Sequence, residues 1–404
     1  MDKTVFIFSG QGSQYPGMCR KLYESDPEVR EYFERAKKIL GYDISEVCFG
    51  EQTELLNKTE FAQPAIFMAS VSQLVSFRKS CIRMPDAAAG HSIGEYAALY
   101  CAGVLTFEEA LGLVKKRAEF MDAEAANQSG CMYAVRGITT QETEKIVEET
   151  RKYGIVCVSN YNGLNNVVIS GEEDAVSKAA ETVISRGGQV FKLNVSSGFH
   201  SMLMRNAAEK FENILSSAHF SEPKIPVISN ITGTPYKDSE DIRQSLASQI
   251  VSPVKWYQSV MYMQSIGCTE AIEFGPKKVL KNFINKDSSI EAFSFDNEYD
   301  VIQITSMFNK QKMNSMIYGL FLREAVTHKC HHTDSSGYSE NVVKPYREIE
   351  KIYLSIKNEG HILTSDELRL SEEMLRKILT YKNTSGAERI CEEIYTSVKS
   401  KLLC

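Results

Sequence analysis

Hydrophobic positions first cluster at Val5-Phe6-Ile7-Phe8, four apolar residues in a row, which predicts a short buried strand. The strand runs into Ser9-Gly10-Gln11-Gly12-Ser13-Gln14, a Gly-punctuated loop that can present backbone N–H groups. Helical patterns follow, and Phe61-Ala62-Gln63-Pro64-Ala65 opens another helix. At Ala87-Ala88-Ala89-Gly90-His91-Ser92-Ile93-Gly94-Glu95 small residues lead to a Ser between two glycines, followed by the helix-forming run Tyr96-Ala97-Ala98-Leu99. Thr106 and Glu109 then form a capping box. The helix they open carries Ala110, Leu113, Val114, Arg117 and Met121 on one stripe.

Between residues 131 and 195 the periodicity changes. Strands are expected at 131–135, 155–158, 166–169 and 189–195, with helices at 140–153 and 172–186. Asn160-Tyr161-Asn162-Gly163 falls between the second and third strands. The order β-α-β-β-α-β predicts a ferredoxin-like subdomain inserted into a larger α/β unit. That unit resumes with a helix bearing Leu203, Ala207, Phe211 and Ile214, a strand at 226–230 and a helix through Gln249. A helix at 253–266, a strand at 269–274 and a final helix after Gly275-Pro276 complete it.

Near residue 287 the α/β pattern weakens, and from 306 to 404 about four amphipathic helices are expected. Their stripes are Met313, Met316, Ile317, Leu320 and Phe321; Tyr346, Ile349, Tyr353 and Ile356; and Ile390, Ile394, Val398 and Leu402. Thr364 with Glu367, and Ser385 with Glu388, read as capping boxes, and residues 333–340 as a polar linker.

Candidate chemistry centres on Gly90-His91-Ser92-Ile93-Gly94, which fits the G-x-S-x-G pattern of a nucleophile elbow. A sharp strand-to-helix turn leaves no room for side chains beside the Ser. It exposes the hydroxyl and aims N–H groups at developing negative charge. The same five residues also suit an ordinary Gly-rich turn. Arg117 lies on an apolar stripe, and a guanidinium there needs an anionic partner. That partner is either a structural Asp or Glu or a substrate carboxylate. His200, in Ser196-Ser197-Gly198-Phe199-His200, stands at a strand-to-helix junction, where it suits either a general base or a structural role.

Composition narrows the classes. The chain of 404 residues allows two or three domains, and its 24% charged residues are ordinary for a globular protein. A net charge of −6 carries no nucleic-acid footprint. An acidic partner would need a local basic patch, for which Lys115, Lys116, Lys277, Lys278 and Lys281 are candidates. No apolar run approaches the roughly 20 residues of a membrane span. No secretory signal precedes the first strand, and the ten cysteines show no C-x-x-C pair, so a reduced, cytoplasmic setting is expected. The cluster His328-Lys329-Cys330-His331-His332 is crowded and lacks a second ligand pair at matching distance. It is expected to be an exposed loop, with no metal bound.

Taken together, the motifs resemble the malonyl-CoA:acyl-carrier-protein transacylase family from Val5 to about Asn285. The markers are Phe8-Ser9-Gly10-Gln11-Gly12-Ser13-Gln14, Ala62-Gln63-Pro64-Ala65, Gly90-His91-Ser92-Ile93-Gly94-Glu95, Arg117, Asn160-Tyr161-Asn162, Phe199-His200, Pro253-Val254 and Glu273-Phe274-Gly275-Pro276. The resemblance implies an α/β, hydrolase-like parallel-sheet core (1–128 and 197–286), the ferredoxin-like subdomain (129–196) and a helical C-terminal extension (287–404). Ser92 would be the nucleophile and His200 its base, oriented by the backbone carbonyl of Gln249. The N–H groups of Gln11 and Ile93 would form the oxyanion hole. Arg117 would hold the malonyl carboxylate, with Gln63, His91, Asn160 and Asn162 near the substrate.

Phe199 would favour malonyl over methylmalonyl. The implied substrate is malonyl-CoA, with no bound cofactor, and the acceptor is the phosphopantetheine arm of an acyl carrier protein. The departure from the family is the segment after 287, which resembles extensions of free-standing polyketide synthase acyltransferases. That segment would dock on synthase modules or pack as a collar. Rival readings are an acyl hydrolase of the same fold, which would lack the carboxylate-binding Arg, and a non-catalytic docking protein.

Overall fold

The computed structural model describes residues 3–80, 84–330, 337–359, 365–384, 386–387 and 389–394. One compact unit holds residues 3–79 and 84–301, and a second holds Ser80 and the described residues from 302 onward.

In the first unit, β1 (Lys3–Phe8) lies at the centre of a five-stranded parallel sheet. Its neighbours are β2 (Ala87–Gly90) and β8 (Cys268–Phe274), with β7 (Val227–Ile228) and β9 (Glu291–Ser294) outermost. Every pairing is parallel. A strand covered on both faces needs apolar side chains at every position, and this is why Val5 to Phe8 reads as an unbroken run. The register Phe8↔Gly90 and Phe8↔Phe274 brings three loops to the carboxyl end of the sheet. These follow β1, β2 and β8, and this is where ligands bind in open parallel sheets.

Between β2 and the return of the chain to this sheet lies a four-stranded antiparallel sheet, in the order β4-β5-β3-β6. Its strands are β3 (Gly130–Arg136), β4 (Val156–Gly163), β5 (Asn166–Glu172) and β6 (Gln189–Lys192). Helices Thr140–Thr150 and Glu173–Ser185 bury Ile146, Val147, Val176, Ala179 and Val183 against Val135, Val158 and Ile169. A short parallel bridge, Tyr161 N–H to Val254 O and Val254 N–H to Ser159 O, both 2.8 Å, ties this sheet to the segment after Gln249.

Two sequence expectations change here. Residues 160–163, expected between two strands, belong to β4, where shifts of register flank Asn160 and Gly163. The division expected at 287 falls one strand short: β9 pairs with β8, and the first unit runs to Val301. The sequence signal for β9 is weak because Glu291-Ala292-Phe293-Ser294 is a four-residue edge strand with a polar residue at each end.

The second unit is helical. Helices Glu298–Thr327, Lys344–Glu359 and Ser365–Tyr381 contribute Ile317, Tyr318, Phe321, Ile349, Ile356, Leu375 and Ile378 to one core, joined by Cys391 and Ile394. The expected stripes are therefore inward-facing where they are described. Thr364, Ser385, Glu388, Val398 and Leu402, the side chain of Met313, and His331, His332 and residues 333–336 lie outside the described residues. Among the described residues no helix is long and apolar enough to cross a membrane, and no group of three His, Cys, Asp or Glu could hold a metal ion.

Candidate active site

The turn after β2 is closed by contacts that admit only glycine. A Cβ on Gly90 would meet the Gly94 carbonyl carbon at 2.0 Å, and one on Gly94 would meet Phe8 O at 2.2 Å. Ser92, between them, takes φ 52°, a left-handed conformation uncommon for a side-chain-bearing residue. Such strain persists only where surrounding contacts hold it, and here Asn230 does so. Its Oδ1 accepts from Ser92 N–H at 2.6 Å, and its Nδ2 donates to Gly90 O at 2.6 Å. The helix Gly94–Cys101 starts directly after.

His200, also at positive φ (55°), places Nε2 2.7 Å from Ser92 Oγ. Its Nδ1 faces two carbonyls, Gln249 O at 2.9 Å and Ser252 O at 3.2 Å. Carbonyls only accept, so Nδ1 carries the proton and Nε2 presents a lone pair to the hydroxyl. Burial, and then the nearby Arg117 charge, push the imidazole down to about 3, so it is neutral at ordinary pH.

Arg117 is fully buried, as its place on an apolar stripe predicted. Its bonds go to two amides and a hydroxyl: Nη1 to Gln63 Oε1 at 2.7 Å, and Nη2 to Gln249 Oε1 at 3.0 Å and Ser92 Oγ at 3.1 Å. The guanidinium lies over the Tyr96 ring, 5.9 Å from its centroid. Burial lowers its pKa. Of the two partners weighed for this Arg, the structural carboxylate is not among these contacts.

A cavity of about 140 Å³ opens beside Ser92, and Gln63, Ile93, Arg117 and Gln249 are not among the residues that line it. Gln11, His91, Ser92, Asn160, Asn162, Phe199 and His200 line it. Asn160 and Asn162 share a face because they are two apart on a strand. Asn162 Oδ1 accepts from His91 Nε2 at 2.9 Å. Gln63 Nε2 reaches Gln11 Oε1 at 3.3 Å. Among the described residues, no hydrogen bond takes up the backbone N–H of Gln11 or Ile93. Ile93 caps the helix that follows Ser92. Gly10 allows the close approach of the Gln11 loop, since a Cβ there would lie 2.6 Å from His91 O.

Chemically, this is a hydroxyl paired to a neutral imidazole, with a guanidinium on the same oxygen and free N–H groups nearby. The model of the acyl transferase domain family matches residues 5–290. This chain belongs to that family. It is an acyltransferase.

A "Malonyl CoA-acyl carrier protein transacylase" of Bacillus subtilis (strain 168) is 37% identical over 288 residues, 71% of this chain and 90% of that one. A protein of the same name from Bacillus subtilis is 31% identical over 406 residues, 96% of this chain and 99% of that one. Its match thus runs through the helical unit. Among solved structures, "PlMCAT:AntF (holo): type II PKS acyl-carrier protein in complex with its malonyl-transacylase" superposes with a TM-score of 0.72. It is 32% identical, over 76% of this chain and 99% of that chain.

Sequence reasoning gave no role to Asn230, Tyr236 or the side chain of Glu95. The one available signal is the charge of Glu95, which heads the otherwise small and apolar run Tyr96-Ala97-Ala98-Leu99.

Proposed function

We propose that this acyltransferase moves a malonyl group from malonyl-CoA to the phosphopantetheine thiol of an acyl carrier protein through an ester on Ser92. His200 Nε2 takes the hydroxyl proton as Ser92 Oγ attacks the thioester carbon. The oxyanion rests on the N–H groups of Gln11, in the loop after β1, and of Ile93, at a helix N-terminus. The thiol of coenzyme A leaves with the proton from His200, and the carrier's thiol then reverses the sequence. Gln249 O keeps the His tautomer in which Nε2 can accept. No cofactor enters this scheme.

Arg117 offers two N–H groups to the free carboxylate, a partner that an acetyl group lacks. One observation carries the reading: Ser92 Oγ lies between His200 Nε2 at 2.7 Å and Arg117 Nη2 at 3.1 Å. The names of the two relatives, and the carrier-protein complex among the similar structures, support it. Arg117 also weighs against a hydrolase, which needs no carboxylate grip. We further read the four-stranded unit as ferredoxin-like, closing one side of the crevice. We read Phe199 as crowding an added methyl, so that malonyl is preferred to methylmalonyl. We assign the chain to polyketide service, with the C-terminal helices as a docking surface for synthase modules; fatty acid synthesis is the alternative.

The deciding experiment is intact-protein mass after brief exposure to malonyl-CoA, methylmalonyl-CoA and acetyl-CoA separately. A malonyl adduct that Ser92→Ala abolishes is expected. Accumulating free malonate without an adduct would point to a hydrolase. If deletion of residues after 301 leaves transfer to free carrier protein and to intact synthase unchanged, the docking role is wrong.

A further inference from the structure

Glu95 is fully buried in the first turn of the helix after Ser92, yet the steps above make no use of it. It accepts from three donors on two other segments. Asn230 N–H at 3.0 Å and Tyr236 OH at 2.6 Å bond to Oε1, and Gln249 Nε2 donates to Oε2. Two of these partners hold the reacting groups.

Gln249 Nε2 also donates to Ser92 O at 3.1 Å. Its amide nitrogen thus faces only acceptors, a carbonyl and a carboxylate. This fixes which way the amide points, because an amide oxygen turned toward either would meet a second acceptor. With that orientation set, Oε1 faces Arg117 Nη2, and the backbone carbonyl of the same residue receives His200 Nδ1–H. Asn230 meanwhile grips the turn on both sides of His91, at Ser92 N–H and Gly90 O.

We propose that Glu95 is the positioning residue that keeps nucleophile, base and guanidinium in register, reaching Arg117 and His200 through Gln249 and Ser92 through Asn230. This inference rests on the roles given above to Ser92, His200 and Arg117. Glu95 touches no substrate in this scheme. A carboxylate suits the place because all three of its neighbours donate. An amide would oppose N–H to the N–H of Gln249 or of Asn230, and turning Gln249 over would leave Arg117 facing a donor.

The test compares wild type, Glu95→Gln, Arg117→Ala and the double variant, reading the rate of adduct formation with malonyl-CoA and with acetyl-CoA. Glu95→Gln should slow malonyl loading by about tenfold or more, the scale of a misplaced charged hydrogen bond, and acetyl loading by less. In the Arg117→Ala background it should lower the malonyl-to-acetyl ratio no further. Should Glu95→Gln fail to fold, Gln249→Met cuts the same link while leaving Glu95 two donors, and should show the same malonyl-selective loss. Wild-type rates and selectivity in the variant tested would overturn the inference. So would a further fall in the malonyl-to-acetyl ratio when Glu95→Gln is added to Arg117→Ala, since the selectivity would then not run through the guanidinium. Ser92→Ala keeps the two levels apart: an adduct that survives it defeats the acyl-Ser92 reading instead.

Discussion

Arg117 donates to the oxygen of Ser92, Nη2 to Oγ at 3.1 Å, while His200 faces the same oxygen from Nε2 at 2.7 Å. A guanidinium on the hydroxyl stabilises negative charge as the proton leaves. On the proposed function it would also put the carboxylate site beside the reacting atom, so that recognition of a malonyl group and activation of the nucleophile would depend on one side chain.

Replacing Arg117 by Ala should therefore cost malonyl-CoA roughly 10- to 100-fold in kcat/KM, the range of one charge-assisted hydrogen bond. Acetyl-CoA should lose less. Competition between the two thioesters, read from adduct masses, measures the ratio directly. An unchanged ratio would remove Arg117 from carboxylate recognition.

The pH profile should separate two buried groups. Burial raises Glu95 to about 7, against the donors Tyr236, Asn230 N–H and Gln249 and the charge of Arg117. Glu95 must be ionised to accept from all three donors, so kcat/KM should fall as pH drops through about 7. His200, pushed down to about 3, stays neutral over that range and adds no acid limb until pH approaches 3. In Glu95→Gln the limb near 7 should vanish at a lower plateau; a limb that remains would belong to another group. The stability linkage has the opposite sign. A carboxyl raised on folding contributes most below its unfolded value of 4.5, and that contribution is lost as pH rises through 7.

Gly94→Ala should unfold or derange the turn. The added methyl would sit 2.2 Å from Phe8 O, a backbone atom of the central strand that cannot rotate away. A loss of about 1–3 kcal/mol, typical of overpacking, is expected in urea melts.

In the helical unit, the buried Lys382 ammonium donates to Ala325 O at 2.7 Å and His328 O at 2.8 Å, closing the end of the Glu298–Thr327 helix. Burial lowers its pKa. Lys382→Met should leave both carbonyls without that donor, at a cost of about 1–3 kcal/mol. Faster amide hydrogen exchange in the last turn of that helix would register it. Unchanged exchange would mean that the ammonium is not what closes the helix.

Local physics was legible in the sequence. The unbroken apolar run 5–8 could only be a covered strand, the glycines at 90 and 94 forced a tight turn at Ser92, and a stripe of apolar residues carried Arg117 inward. What the linear chain could not decide is which distant groups meet. Glu95, Asn230, Tyr236 and Gln249 converge because β7 lies beside β2, and the carbonyls of Gln249 and Ser252 reach His200 because the segment after them bridges to β4. Hydrogen bonds act over about 3 Å, while these partners stand far apart in sequence. Only the strand order brings them within reach, and that order is set by packing of the whole sheet rather than by any one stretch of it.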